Sequence, residues 1–194
     1  KRFSQKLNER MDVPVALGMR YGNPSIESAL IELEYYCNPL KELILLPMYP
    51  HYAMSSTETV ILKTKSILAQ KENPPNLHVI ESFYQDPEYI KVLSDSIRPY
   101  LKDPVEHLLF SYHGIPERHV KKTDPSKNHC LNVENCCYVQ NPAHRYCYAH
   151  QVKTTTDLVA KELGLSPDQF TLSFQSRLGN DPWLQPYTSA TLEA

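Results

Sequence analysis

The segment EHLLFSYHGIPERH at residues 106–119 decides the fold that the sequence predicts. Its residues 108–110 form a short apolar run, which is typical of a buried strand. His113 follows at the end of this run, and Gly114 after it can adopt the backbone that a sharp exit requires. In open α/β sheets, functional residues lie beyond the carboxyl ends of the strands. The segment therefore predicts such a sheet and a candidate site at His113, with a purely structural histidine as the alternative.

Short apolar runs alternate with longer helical patterns over the rest of the chain. Predicted strands lie at 13–19, 42–46, 77–82, 106–112 and 170–175, and predicted helices at 25–36, 55–70, 87–100 and 144–163. Residues 113–141 carry no regular pattern. Strands and helices that alternate over short connections imply βαβ units. The sequence therefore predicts an α/β fold with an open, mainly parallel sheet flanked by helices.

Composition and charge exclude several classes of protein. The net charge of −2 gives no electrostatic case for binding nucleic acid or an anionic membrane surface. No run of 18 apolar residues is present, and the polar start is not a signal peptide. The five glycines form neither GxGxxG nor a P-loop. The chain opens on Lys1 within a helical pattern and stops at Ala194 as another begins, so we expect a fragment of a longer protein.

A cluster of cysteines indicates a metal site. Four of the five fall within 18 residues, namely Cys130, Cys136, Cys137 and Cys147. In a reducing compartment, clustered thiols favour a metal over disulfides, and zinc and iron–sulfur clusters both accept four cysteines. Adjacent Cys136 and Cys137 suit a zinc knuckle poorly and fit a two-iron cluster more easily. Four unbound thiols stay an alternative, as does a mixed site with nearby histidines, namely His129, His144 and His150.

Two further loops follow predicted strands. The loop LPMYPHYAMSST at 46–57 places Tyr52 and Met54 where they could form a wall for a flat apolar ligand, and its final residues could offer amides to an anion. The alternative is ordinary core packing and a helix cap. The loop at 173–187 carries the single tryptophan, Trp183, either as a platform for an aromatic ligand or as an anchor for the loop. Arg177 in this loop could pair with a carboxylate.

These loops together resemble the signature segments of ferrochelatases. The matching stretches are SYHGIPERH at 111–119 with TDP at 123–125, SFQSRLGNDPWLQP at 173–186, YPHYAMSST at 49–57 and GMRY at 18–21. They occur in the family's order and cover nearly the whole chain. The resemblance implies a chelatase-like fold of two similar domains with a porphyrin cleft between them. Residues 1–105 would form most of the first domain, and 106–194 would begin the second half with the histidine strand and a cysteine insertion at 129–148.

The resemblance also implies a function, the insertion of ferrous iron into protoporphyrin IX to form protohaem in haem biosynthesis. By motif position, His113 would take a pyrrole proton, meet the iron substrate, or both. The expected substrate-binding residues are Arg20, Tyr21, Tyr52, Met54, Ser56, Thr57, Gln175, Arg177 and Trp183. The cysteine loop resembles the internal insertion of some bacterial ferrochelatases, which implies a [2Fe–2S] cluster on Cys130, Cys136, Cys137 and Cys147. The family's acidic partner of the histidine would lie beyond Ala194, so catalysis belongs to the complete protein.

Other functions compete with this one. A cobalt or nickel chelatase acting on sirohydrochlorin would want a more basic cleft for its many carboxylates. A non-catalytic iron–sulfur or zinc module that senses redox state or iron is a second alternative, and a nucleic-acid binder is the weakest. We expect a cytoplasmic protein. A peripheral membrane contact would suit so apolar a substrate, although no amphipathic anchor is evident, and the sequence indicates no oligomeric state.

Overall fold

The computed structural model describes residues 2–101 and 106–193. By its internal contacts the chain divides into two compact units. The first unit comprises Lys1–Met48 and Ser55–Glu81, and the second comprises Tyr49–Met54 and Ser82–Ala194. The expected domain boundary between 105 and 106 borders residues outside the described ones, and the domain division of the complete protein stays a prediction.

The first unit is a small parallel α/β element. It contains α1 (Arg2–Asn8), α2 (Ile26–Tyr36), β1 (Glu42–Leu45), α3 (Thr59–Leu68) and β2 (Asn76–Val79). Strands β1 and β2 pair in parallel, with Glu42 opposite Asn76. Helix α2 begins where predicted because the Ser25 hydroxyl caps it by accepting a hydrogen bond from the amide of Ser28. The apolar core that joins these elements consists of Ile26, Leu30, Leu43, Ile67 and Leu68.

Two predictions for the first unit were wrong. Residues 13–19 do not form a strand, and only Met19 makes an isolated bridge, with Ser25. A strand needs a neighbouring backbone, and within the described residues β1 and β2 pair only with each other. The helix predicted from residue 55 begins at Thr59, because Met54–Glu58 form a turn of π-helix first.

The second unit carries the longer elements. They are α4 (Pro87–Ile97), β3 (Leu108–His113), α5 (Glu117–Thr123), α6 (Tyr148–Leu163), β4 (Phe170–Gln175) and α7 (Thr188–Glu193). Strands β3 and β4 pair in parallel from Leu108 opposite Phe170 to His113 opposite Gln175. Helix α6 packs against α4 and β4 and ends at Gly164, whose φ of 73° is the left-handed conformation that glycine favours. The predicted parallel pairing is confirmed, but the described strands form two separate two-stranded sheets.

Two boundaries in the second unit also differ from the prediction. The stretch 113–141 was expected to be irregular, yet α5 lies within it, with Glu117 in its first turn and Lys121 and Lys122 in its last, which suits the helix dipole. The helix expected from residue 144 begins at Tyr148. Residues Pro142–Tyr146 form a 3-10 turn, and the thiol of Cys147 caps α6. In the described part of the chain, no helix is both long and apolar enough to cross a bilayer.

Candidate functional site

His113 is the last residue of β3 and its side chain is exposed. Its Nδ1 lies 2.6 Å from the main-chain oxygen of Gly114. Because a carbonyl oxygen can only accept, Nδ1 must carry the proton of this bond. In the neutral ring, Nε2 then carries the free lone pair. This nitrogen can take a proton or bind a metal. The strand end therefore presents an imidazole in a fixed tautomer.

Gly114 keeps β3 and β4 close where His113 emerges. Its amide donates to the main-chain oxygen of Gln175 at 2.7 Å. A Cβ atom at this position would lie 3.0 Å from that same oxygen and 3.3 Å from Cε3 of Trp183. The glycine is therefore required by close backbone approach, whereas the sequence argument had pointed to an unusual backbone conformation.

Trp183 lies beside His113 and fastens the loop after β4. Its ring centroid is 6.4 Å from that of His113, and its Nε1 donates to the main-chain oxygen of Leu178 at 2.9 Å. The backbone next to it bridges to Pro116. Trp183 was expected to serve either as a platform for an aromatic ligand or as an anchor for the loop. These contacts show the anchoring role. Arg177 is exposed, with its guanidinium 5.3 Å from the ring centroid of Tyr187.

The segment Tyr49–Met54 packs into the second unit. The amide of Tyr52 donates to Oε1 of Gln151 at 2.7 Å, and the Tyr52 ring meets that of Tyr146 edge to face. Tyr52 is buried, whereas Met54 is only partly covered. The two residues predicted to form a ligand wall, Tyr52 and Met54, therefore differ in exposure. Tyr52 belongs to the core, whereas Met54 is partly open to solvent.

His51 is a buried polar residue that the sequence argument missed. Its Nε2 lies 2.9 Å from Oγ1 of Thr155, and that hydroxyl donates to the main-chain oxygen of Tyr84. The hydroxyl must therefore accept from Nε2–H of His51. Burial lowers the pKa of His51 to about 4, so the ring is neutral near pH 7. Edge contacts with Tyr112 and Tyr148 enclose it. A histidine between tyrosines and prolines gives no pattern from which such burial could be predicted.

The remaining predicted substrate residues belong to the first unit. Arg20 donates through Nε to the main-chain oxygen of Thr59 at 3.1 Å, and its guanidinium lies 4.4 Å from the ring centroid of Tyr21. Tyr21 is exposed, whereas Thr57 is fully buried in the π-helical turn. The oxygen of Ser56 accepts a hydrogen bond from the Thr59 hydroxyl. The structure thus brings Arg20 and Tyr21 together near the start of α3, and their substrate contacts stay predictions.

The four clustered cysteines share one buried core. They are Cys130, Cys136, Cys137 and Cys147, and each is at most 8% exposed. Their thiols form a chain of contacts, in which Cys147 meets both Cys130 and Cys137, and Cys137 meets Cys136. Among the described residues, no three His, Cys, Asp or Glu side chains converge on a ready-made metal position. The donor set nevertheless fits an iron–sulfur or zinc centre, because soft thiol ligands lie together in an apolar surrounding.

Two thiols of the cysteine cluster, Cys137 and Cys147, have raised pKa values. The hydrogen bond from the thiol of Cys147 to Cys130, together with burial, raises the pKa of Cys147 to about 12. The pKa of Cys137 is raised well above the usual range by the hydrogen bond of this thiol to Cys147 and by its burial. Thiolates at Cys137 and Cys147 therefore need a bound cation, and metal binding by these two residues would release protons.

Asp124 organises the loop that carries Cys130. Its buried carboxylate accepts from the amides of Ser126, His129 and Cys130 at 2.8 to 2.9 Å. Burial opposes ionisation, yet these hydrogen bonds, together with one from the Ser126 hydroxyl, hold the pKa of Asp124 well below its usual range. The ionised carboxylate thus fixes the backbone on which Cys130 stands.

Three histidines surround Cys136 and Cys137 and bind main-chain oxygens. Nε2 of His129 and of His144 lie 2.9 and 2.8 Å from the oxygen of Cys136, and Nδ1 of His150 lies 2.6 Å from that of Cys137. The rings of His144 and His150 stack with their centroids 3.7 Å apart. Each of these donations leaves the other ring nitrogen with its lone pair, so the contacts are compatible with four thiol ligands and with the mixed His/Cys site alike.

Parallel strand–helix units with an imidazole at the carboxyl end of a strand define a class of α/β proteins whose chemistry lies at that edge of the sheet. Comparison with known proteins narrows this class. The ferrochelatase family model matches residues 1–194, and this chain belongs to the ferrochelatase family. It is 45% identical to the ferrochelatase of Opitutus terrae over 94% of this chain and 52% of the relative.

Similar values hold for other bacterial relatives. The ferrochelatase of Ectopseudomonas mendocina is 42% identical over 98% of this chain and 57% of that protein. That of Pseudomonas syringae pv. tomato is 39% identical over 100% of this chain and 56% of that protein. The chain thus spans about half the length of the curated relatives it matches.

Proposed function

We propose that the full-length protein that contains this chain inserts ferrous iron into protoporphyrin IX and so forms protohaem in haem biosynthesis. Membership of the ferrochelatase family supports this reaction. The observation that carries it is the exposed imidazole of His113 at the end of β3, whose hydrogen bond to Gly114 leaves Nε2 as the basic nitrogen. We assign His113 as the catalytic residue.

Metal insertion into a porphyrin requires a basic nitrogen in a fixed position. Metal insertion replaces two pyrrole N–H protons of the macrocycle by the iron substrate. Nε2 of His113 either accepts a pyrrole proton or passes the iron towards the ring, and both roles need its lone pair. The close contact between Gly114 and Gln175 holds the imidazole at the strand end. A rigid base loses less of its effect to reorientation before each proton transfer.

The substrate surface is proposed by the family motifs. It comprises Arg20, Tyr21, Tyr52, Met54, Ser56, Thr57, Gln175, Arg177 and Trp183. Within the second unit, Trp183 lies beside His113. The two arginines are candidates for the propionate groups of protoporphyrin, because a guanidinium binds a carboxylate through two parallel hydrogen bonds.

The thiol site is proposed to hold a [2Fe–2S] cluster, with Cys130, Cys136, Cys137 and Cys147 as its ligands. Support comes from their common burial and their chain of thiol contacts. A bound cluster would supply a covalent cross-link within the loop and a one-electron redox centre. Anaerobic reconstitution with iron and sulfide should produce visible absorption and equal iron and sulfide contents. Cys147→Ser should abolish both, whereas Cys37→Ser, outside the cluster, should retain them.

The activity is tested by anaerobic insertion of Fe²⁺ into protoporphyrin IX, followed through the Soret absorption of the full-length protein. His113→Ala should lower the rate by about 10²- to 10⁴-fold, the usual contribution of a general base or acid. His107→Ala is the matched control, because His107 lies just before β3 and bonds to the Thr171 hydroxyl. If the folded wild-type protein leaves protoporphyrin metal-free, the assignment is wrong. Sirohydrochlorin with Co²⁺ or Ni²⁺ is then the next substrate, and a sensor role for the thiols gains support.

We further propose a cytoplasmic location with a peripheral membrane contact through which the apolar substrate arrives. Fractionation of cells followed by immunoblotting tests the location. Sedimentation of the purified protein with phospholipid vesicles, with and without protoporphyrin, tests the contact.

A further inference from the structure

The first turn of α6 touches both proposed sites. Cys147 caps this helix, with its Sγ 3.5 Å from the amide nitrogen of His150, and its thiol contacts Cys130. The next residue, Tyr148, donates its phenol proton to the main-chain oxygen of His113 at 2.8 Å. A single peptide bond therefore separates a proposed cluster ligand from the side chain that holds the backbone of the catalytic histidine.

The same turn is fixed by other side chains, so it can transmit a displacement. Nδ1 of His150 bonds to the oxygen of Cys137, and Nε2 of Gln151 donates to the oxygen of Arg145 at 2.7 Å. Gln151 is fully buried and its Oε1 accepts from the amide of Tyr52. A turn held on several sides moves as a unit, because packed interiors do not deform continuously.

The ring of Tyr148 is also held in place. It packs edge to face against the buried ring of His51, with centroids 5.9 Å apart. His51 in turn bonds to Thr155, two helical turns further along α6. The phenol thus reaches His113 from a side chain that its neighbours hold in place.

We infer that Tyr148 is a positioning residue that couples the thiol site to His113. A metal centre on Cys147 fixes the start of α6, and the phenol of Tyr148 then holds the backbone of His113 in the orientation that insertion requires. The inference rests on the proposed function for its activity readout. Coupling of this kind is reciprocal, so the state of the His113 backbone also biases occupancy of the thiols.

The test compares full-length wild-type protein with Tyr148→Phe, each reconstituted with iron and sulfide and each stripped by a chelator. Fe²⁺ insertion into protoporphyrin IX gives kcat and KM. The wild-type kcat should fall about two- to tenfold on stripping, the range that one hydrogen bond can supply, with KM unchanged. Loaded Tyr148→Phe should show the same reduction in kcat, and its ratio of loaded to stripped kcat should approach one.

Tyr138→Phe is the matched control. Tyr138 follows the proposed ligand Cys137, and its phenol bonds to Asp157 rather than to His113. Its removal should leave the wild-type ratio of loaded to stripped kcat intact. Equal cluster absorption in all three proteins shows that none of the changes acts through lost loading.

Amide hydrogen exchange of the segment Leu108–His113 and the residues that follow it gives a readout independent of activity. Loading should slow exchange at the amide of Gly114 in the wild type and not in Tyr148→Phe. If stripping unfolds the wild-type protein, the two loaded proteins are compared directly, and equal kcat and equal exchange would overturn the inference. A wild-type protein that shows coupled exchange but inserts no metal would refute the proposed function and leave the coupling standing. If metal is inserted and Tyr148→Phe keeps the wild-type ratio of loaded to stripped kcat, the coupling is refuted and the proposed function stands.

Discussion

Acid should weaken this protein through His51, and the structure sets the size of the effect. The buried ring has a pKa of about 4 in the folded protein, against a reference of 6.5. Between these values the unfolded chain binds a proton that the folded protein refuses, so stability falls as the pH drops from about 6.5 to about 4. The stability contributed by the neutral ring of His51 is fully present above that pH window. The shift corresponds to about 3 kcal/mol in total, of which about 2 kcal/mol should be lost between pH 7 and pH 5.

The variant His51→Gln removes the titrating group while keeping an amide that can donate to Thr155. Urea unfolding of the full-length protein at pH 7 and pH 5 should show that this variant loses about 2 kcal/mol less than the wild type over the interval. His107→Gln, which replaces an exposed histidine in place of the buried one, is the matched control. A His51 resonance that titrates near 6.5 by NMR, or a variant with the full wild-type loss, would refute the argument.

Three further substitutions test particular contacts. Gly114→Ala should destabilise the protein by about 1–3 kcal/mol and lower metal insertion, because its Cβ would approach the neighbouring strand to 3.0 Å; an unchanged melting temperature would contradict this. Asp124→Asn should reduce the iron and sulfide content after reconstitution, since the neutral amide loses charge-assisted hydrogen bonds to the loop at Cys130; full loading would show that the carboxylate charge is not needed. Arg118→Ala breaks an exposed ion pair with Asp181 and should cost under about 1 kcal/mol in urea unfolding, so a larger loss would mean an additional role.

The strands at the site could be predicted because their signals are local. The apolar run before His113 and the run at Phe170–Gln175 each have the composition typical of a strand. Both strands are observed. The segment 13–19 has a similar composition but pairs with neither described strand of its unit. Strand formation depends on a partner that a local pattern does not contain.

Long-range contacts explain what the sequence did not reveal. The hydrogen bond of His51 reaches Thr155, 104 residues away, so its burial depends on how the chain folds back. The start of α6 was predicted four residues too early because the helical pattern ignores the thiol cap of Cys147. The clustering of the four thiols was predictable from spacing alone, whereas the hydrogen bonds of the three imidazoles to the backbone carbonyls of Cys136 and Cys137 depend on how the loop folds.

The placement of Cys147 and Tyr148 changes how defects at the thiol site should be interpreted. In the described structure, the thiols connect to the proposed catalytic imidazole through the backbone, since Tyr148 bonds to the main-chain oxygen of His113 rather than to its ring. A metal centre on Cys147 therefore need not touch the porphyrin or exchange electrons with it to alter the rate of insertion. Residues that share one hydrogen-bonded path have non-additive effects, so the loss of Cys147 and the loss of the Tyr148 phenol should not sum. If the full-length protein inserts iron slowly when the proposed cluster is absent, a misplaced His113 then explains the loss before redox chemistry does.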